Sequence, residues 1–181
     1  MISDLPLFFF TFLTGIAAGT YLTASISPQH ADRVKPWALP AVVLVLVVVG
    51  GISASMHLGR PGLAYNMVNN LASPLMIEGI AAGCLAIVAM IDVVVCATKK
   101  RSARAIRIIG AVFSALLMIA VTYAYVTSYG NPMWIAAPTY VVFILGGLTA
   151  GVPLWAVLSD TDTKGRLLAT AVLSAAFACV L

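Results

Sequence analysis

The sequence predicts an all-α fold: a polytopic bundle of membrane-spanning helices, with about six spans of which the last is incomplete. Three observations carry this. Apolar types make up 62% of the 181 residues and charged types only 9%, against about 45–50% and roughly 25% in soluble domains. The apolar residues fall in uninterrupted runs long enough for a helix to cross a bilayer core, which takes about 20 residues. The basic residues sit in short clusters between those runs. A soluble enzyme, a disordered segment and a nucleic-acid binder all fit this composition poorly, because a folded surface cannot hide so much apolar area from water. Long continuous runs also favour helices over barrel strands, which are short and alternate.

The elements follow in order. Leu5 to Gln29 carries no charge and forms span one. Pro36 to Met56 carries none and forms span two. Ser73 to Ala97 forms span three and holds Glu78 and Asp92. Ile108 to Ser159 is uncharged throughout and too long for one helix. The turn-forming stretch Tyr129-Gly130-Asn131-Pro132 divides it into spans four and five. Leu167 to Leu181 begins span six, and the chain is expected to stop inside that helix.

Orientation follows from the basic residues. With the N-terminus outward, loops one, three and five face the cytoplasm. They hold Arg33 and Lys35, then Lys99, Lys100, Arg101, Arg104 and Arg107, then Lys164 and Arg166. Only Arg60 is left on the outward side, a strong positive-inside bias. The start, Met1-Ile2-Ser3-Asp4, lacks the basic region of a cleaved secretory signal. Trp134 falls near the outer boundary, and Trp37 and Trp155 near the inner one, as an aromatic belt would place them.

A small-residue pattern recurs. Pro6 precedes Gly15-Ile16-Ala17-Ala18-Gly19 in span one, and Pro138 precedes Gly147-Leu148-Thr149-Ala150-Gly151 in span five, with the same spacing. Gly79-Ile80-Ala81-Ala82-Gly83 in span three is a third copy. Such pairs let helix backbones approach closely. Two readings fit. One is three independent packing faces. The other is a four-helix unit repeated after 132 residues, giving an eight-helix, two-by-four architecture. On the second reading residues 1–128 form the first unit, with the functional site, and residues 129–181 begin a second, truncated unit.

Ionisable groups inside apolar spans cost about 2.5–3.5 kcal/mol each near the membrane centre on insertion scales, so the few present are the first functional candidates. Glu78 lies just inside the outer end of span three. Asp92 lies toward the cytoplasmic end and reads as a structural interface residue, with Lys99 and Lys100 in reach of it. His57 closes span two on the outward side. The connection from it, His57-Leu58-Gly59-Arg60-Pro61-Gly62-Leu63-Ala64-Tyr65-Asn66, leads through Asn69 and Asn70 to Ser73-Pro74-Leu75-Met76-Ile77-Glu78. Both flanking helices reach the same boundary, which brings His57 and Glu78 near one another. An imidazole and a carboxylate so placed can accept protons from a lipophilic donor; a solvated loop with a capping histidine fits the spacing equally. Cys84, Cys96 and Cys179 form no C-x-x-C pair and read as buried thiols. The other histidine, His30, lies in a loop, so the chain offers no axial pair for a membrane haem and no metal motif.

These residues resemble a family. His57-Leu58-Gly59-Arg60-Pro61, then Ala64-Tyr65-Asn66, then Ser73-Pro74-Leu75-Met76-Ile77-Glu78 look like the pattern H-L-G-x-P, A-[FY]-N, S-x-L-x-x-E of the membrane anchor subunit of dimethyl sulfoxide reductase, related to polysulfide-reductase-type anchors. The likeness is densest from Ser53 to Gly83 and extends as span order from Leu5 to Leu181. It implies eight helices with both termini outside, in a bacterial cytoplasmic membrane. It implies partners: a four-cluster iron–sulfur subunit and a molybdopterin catalytic subunit. It implies oxidation of menaquinol in anaerobic respiration, the two electrons passing to the iron–sulfur subunit, with no haem or metal in the anchor itself. The family's motif histidine and glutamate, tied to menaquinol binding and oxidation, map onto His57 and Glu78. Arg60, at a variable position, is added as a residue that holds the loop, stabilises the carboxylate or contacts a partner. Asn66 is added as one that satisfies loop backbone groups beside the menaquinol. Two departures stand out: the segment between histidine and glutamate is about one residue shorter than the family pattern, and the final helices are absent, as in a partial chain. An anchor for another terminal acceptor, of the polysulfide or nitrite reductase type, fits the same residues. A small transporter subunit is the rival from another class, though no span is broken at its middle by paired Gly and Pro.

Overall fold

The computed structural model describes residues 5–26, 35–58, 61–128, 134, 137–159, 165–166, 168, 170–172 and 174–175. Five long helices hold most of them: α1 (Leu5–Ile26), α2 (Ala38–His57), α3 (Pro74–Lys99), α4 (Arg104–Val126) and α5 (Ala137–Leu158). A 3₁₀ segment, Pro61–Asn69, joins α2 to α3. The described residues from 165 to 175 are helical too, where the sixth span is expected. All five long helices are long and apolar enough to cross a membrane. No strand occurs among the described residues.

Prolines mark the helix starts. Pro6, Pro40, Pro74 and Pro138 all sit in the first turn, where an amide has no helical partner to lose. At the far end of α3, Lys100 takes a left-handed conformation (φ 57°) and its amide bonds the Cys96 carbonyl at 3.1 Å. That left-handed turn closes the helix and redirects the chain. Helix α4 begins earlier than its apolar run does, so Arg104 and Arg107 belong to its first turn rather than to a loop.

Outward faces are rich in large apolar side chains: Val45, Val49 and Ile52 on α2, Ile87, Ile91 and Val94 on α3, Ile108, Val112 and Ile119 on α4. A contiguous surface of this kind is too large for a water-facing monomer and suits lipid. Small residues are prominent in the interior, with Ala17, Ala18, Ala24 and Ala89 almost fully buried beside the larger Tyr21, Leu85 and Leu117. Without a hydrophobic drive between helices in lipid, close backbone approach and hydrogen bonds do the joining.

Helix α1 is the centre of the bundle, packed against α2, α4 and α5. Its seam with α5 uses two copies of the small-residue pattern. A Cβ at Gly19 would fall within 2.8 Å of the Gly147 carbonyl carbon, and one at Gly151 within 2.7 Å of the Gly19 Cα. Gly15 faces Gly147 in turn, so the two helices run parallel and in register. The Thr20 hydroxyl adds a 3.3 Å bond to the Gly151 carbonyl. The third copy behaves differently: a Cβ at Gly79 or Gly83 meets nothing within 4 Å. Gly151→Val is expected to lower stability by about 1–3 kcal/mol, the usual cost of overpacking, because the atoms it meets are backbone and cannot turn aside. Thermal unfolding of the detergent-solubilised protein measures this; an unchanged midpoint would contradict the seam.

Trp155 departs from its expected place in an aromatic belt. It is fully buried (0% exposed), three residues from the end of α5, with its indole N–H unpaired among the described residues. Trp134 and Trp37 are partly exposed as a boundary residue should be. Trp134 meets Tyr125 edge-on at 5.1 Å, and the Lys35 ammonium lies 5.8 Å from the Trp37 ring.

Candidate functional site

Helices α2 and α3 diverge enough to leave a lateral groove of about 340 Å³ between them. Its α2 wall is Val47, Val48, Gly51, Ala54, Ser55 and Leu58. Its α3 wall is Leu75, Glu78, Gly79, Ala82, Gly83 and Ala86. Both sets step by three and four, the stripe that one helix face presents. From Leu75 to Ala86 the groove runs about 16 Å at helical rise, from the start of α3 to about its middle, roughly half the thickness of a 30 Å bilayer core. Phe10 of α1 lines its back.

Among the described residues the ionisable group lining this groove is Glu78. Proline starts α3 at Pro74, so Glu78 falls one turn inside the helix, on the groove stripe. It is 3% exposed. Among the described residues no hydrogen bond or ion pair reaches its carboxyl. A buried polar group without a partner is uncommon and calls for an explanation; a ligand bearing hydroxyl groups would supply one.

The other sequence-predicted residues are placed less fully. His57 is the last residue of α2, and its neighbour Leu58 lines the groove opposite Leu75 and Glu78. The His57 side chain and the whole of Arg60 lie outside the described residues. Asn66 sits exposed in the 3₁₀ segment beside exposed Tyr65. The α2 end is held to α1 by the Ser53 hydroxyl, which donates to the Pro6 carbonyl at 2.8 Å.

Asp92 lies at the opposite end of α3 and is 0% exposed. Its carboxylate accepts from the Tyr21 hydroxyl of α1 at 2.8 Å, from the Ser102 hydroxyl at 2.5 Å and from the Cys96 thiol at 3.6 Å. Lys99 and Lys100 are exposed, and among the described residues neither pairs with it. So the expectation of an interface residue stands with different partners. Arg107 reaches across from α4 to the Ala24 carbonyl at 3.1 Å, and the Ser25 hydroxyl returns a 3.2 Å bond to the Arg107 carbonyl. These bonds tie the C-terminal parts of α1 and α3 to the start of α4. Sequence reasoning missed Tyr21, Ser102 and Arg107. Depth was the available signal for Tyr21, which lies about as far along span one as Asp92 does along span three.

A larger cavity, about 700 Å³, opens between α1, α4 and α5. Thr11 and Tyr125 share a 2.9 Å hydroxyl–hydroxyl bond there, beside Phe143. Its lining contains no carboxylate or imidazole. No cluster of three or more His, Cys, Asp or Glu occurs among the described residues.

The bundle of long apolar helices, with one buried carboxylate on a lipid-facing groove, is that of a polytopic integral membrane protein. The family model described as DMSO reductase anchor subunit (DmsC) matches residues 1–181. The chain belongs to the anchor subunit family of dimethyl sulfoxide reductase. It is 31% identical over 159 residues to a subunit of the anaerobic dimethyl sulfoxide reductase of Haemophilus influenzae, a match that covers 81% of this chain and 56% of that subunit. The chain thus spans about half the length of the curated relative it matches. No solved structure matches it.

Proposed function

We propose that this chain is the quinol-oxidising membrane anchor of a dimethyl sulfoxide reductase-type molybdoenzyme, and that the α2–α3 groove is its menaquinol site. One observation carries the reading: Glu78, the last residue of the family motif, is buried on a lipid-facing groove with no partner among the described residues. On this reading menaquinol enters sideways from the lipid. Oxidation to menaquinone releases two protons and two electrons. Glu78 and His57 each accept a proton from a quinol hydroxyl and pass it to the outer face. The electrons leave for an iron–sulfur partner subunit, and from there for the molybdopterin subunit, in anaerobic respiration. The chain itself supplies position and proton acceptors rather than haem or metal. Arg60 and Asn66, in the sequence between His57 and Glu78, complete the reading: Arg60 to hold the loop, stabilise the carboxylate or contact a partner, and Asn66 to satisfy backbone groups beside the menaquinol. The protein lies in the bacterial cytoplasmic membrane with its N-terminus outward, as the distribution of basic residues supports.

The test uses the complete membrane complex with a full-length anchor. His57→Arg is expected to insert and assemble, yet to lose menaquinol-driven turnover by about 10²-fold or more, the range for a proton acceptor. Binding of a quinol-site inhibitor is expected to weaken with it. A wild-type rate from menaquinol in that variant overturns the assignment. Solute flux into proteoliposomes without any partner subunit would instead support a transporter.

A further inference from the structure

The helical glycines divide by what surrounds them. At Gly19, Gly147 and Gly151 a Cβ would strike a neighbouring helix or side chain, so packing requires the glycine. At Gly51, Gly79, Gly83, Gly146 and Gly165 a Cβ would meet nothing within 4 Å. Gly146 lines the α1–α4–α5 cavity, whereas Gly51, Gly79 and Gly83 all line the α2–α3 groove beside Glu78. Glycine is less stable than alanine within a helix, so packing among the described residues gives no reason for it at these positions. Close approach of a ligand to the backbone does.

A second observation points the same way. The Glu78 carboxyl, 3% exposed and without a partner among the described residues, lines the same groove. It is adjacent in sequence to Gly79, and Gly83 lies about 7.5 Å further along the axis at helical rise. Gly51 stands on the facing wall. The bare backbone of both helices therefore flanks the space just below the carboxyl, where a flat ring can lie against it.

We propose that Gly51, Gly79 and Gly83 are specificity-determining residues: their missing side chains form a slot beside Glu78 that admits the fused second ring of a naphthoquinol. This rests on the reading of the groove as a quinol site. A one-ring benzoquinol bonded to Glu78 has no second ring to place in the slot and gains nothing from its width. Each added methyl narrows the slot for the fused ring and leaves the carboxyl in place.

The experiment compares two short-chain probes, a two-ring naphthoquinol and a methyl-substituted one-ring benzoquinol, on the complete membrane complex with a full-length anchor. Gly79→Ala and Gly83→Ala are each expected to raise KM for the naphthoquinol about tenfold, with kcat and the benzoquinol KM within about twofold, since one methyl in a tight apolar site is worth 10-fold or more. Gly51→Ala, on the other helix, is expected to do the same. Equal shifts for both probes, or no shift, overturn the slot. Failure of all three variants to assemble makes this face a helix seam and overturns it as well. Glu78→Gln separates the two levels: wild-type oxidation of both probes in that variant defeats the quinol reading itself, whereas loss of both with unselective glycine variants defeats the slot alone.

Discussion

Glu78→Gln is expected to lower menaquinol oxidation by the assembled complex about 10²–10³-fold, within the range for removal of a positioned acid or base. Reduction of the terminal acceptor by an artificial electron donor should stay at the wild-type rate. The amide has the shape of the carboxyl and still bonds a quinol hydroxyl, so the substitution leaves α3 and the groove in place. It cannot take up a proton near neutral pH. The loss should therefore appear in kcat, with little change in KM. Two features of the structure make the effect large. Glu78 is a buried residue and the one described ionisable group on the groove. It also has no other acceptor hydrogen-bonded to it among the described residues. Menaquinol turnover within about twofold of wild type would move proton uptake elsewhere, and the α1–α4–α5 cavity with Thr11 and Tyr125 would be the next place to look.

Asp92→Ala is expected to destabilise the bundle by about 1–3 kcal/mol, the usual cost of leaving buried donors without their acceptor. The Tyr21 and Ser102 hydroxyls and the Cys96 thiol would all lose their acceptor, and a buried donor left unpaired costs about 1–3 kcal/mol. Because the three donors come from α1, α3 and the α3–α4 connection, the loss should loosen that end of the bundle as a whole. Asp92→Asn keeps one acceptor oxygen and should cost roughly half as much. Chemical unfolding in detergent micelles gives both values, and a double-mutant cycle with Tyr21→Phe isolates their coupling. A change under about 0.5 kcal/mol for Asp92→Ala, the range of ordinary surface substitutions, would show that the network does not hold the helices. Quinol KM is expected to be unchanged in either variant, since Asp92 lies at the far end of α3 from the groove.

The pairing of depth with chemistry was legible in the residues. Glu78 near the start of α3, His57 at the end of α2 and Asp92 toward the other end of α3 stand at the places along their helices that hydropathy assigns them. Lateral neighbours were not legible. Three small-residue patterns looked alike in one dimension. Two of them interlock at Gly19, Gly147 and Gly151, and the third, Gly79 with Gly83, faces open space beside Glu78. Trp155 reads like a boundary tryptophan and is buried. Asp92 has lysines close by in sequence and takes a tyrosine from another helix instead.

The sequence by itself determined that this protein is a set of long apolar helices and where along them the polar residues fall. Transfer from water to lipid acts on a stretch of about 20 residues at a time, and backbone groups in lipid must be satisfied within the helix, so both are written along the chain. Only the tertiary structure decided which helix faces meet, and with that which glycines close a seam and which leave a groove open. In lipid, helix pairing rests on shape and on single hydrogen bonds between distant segments, and those depend on where the helices stand in space.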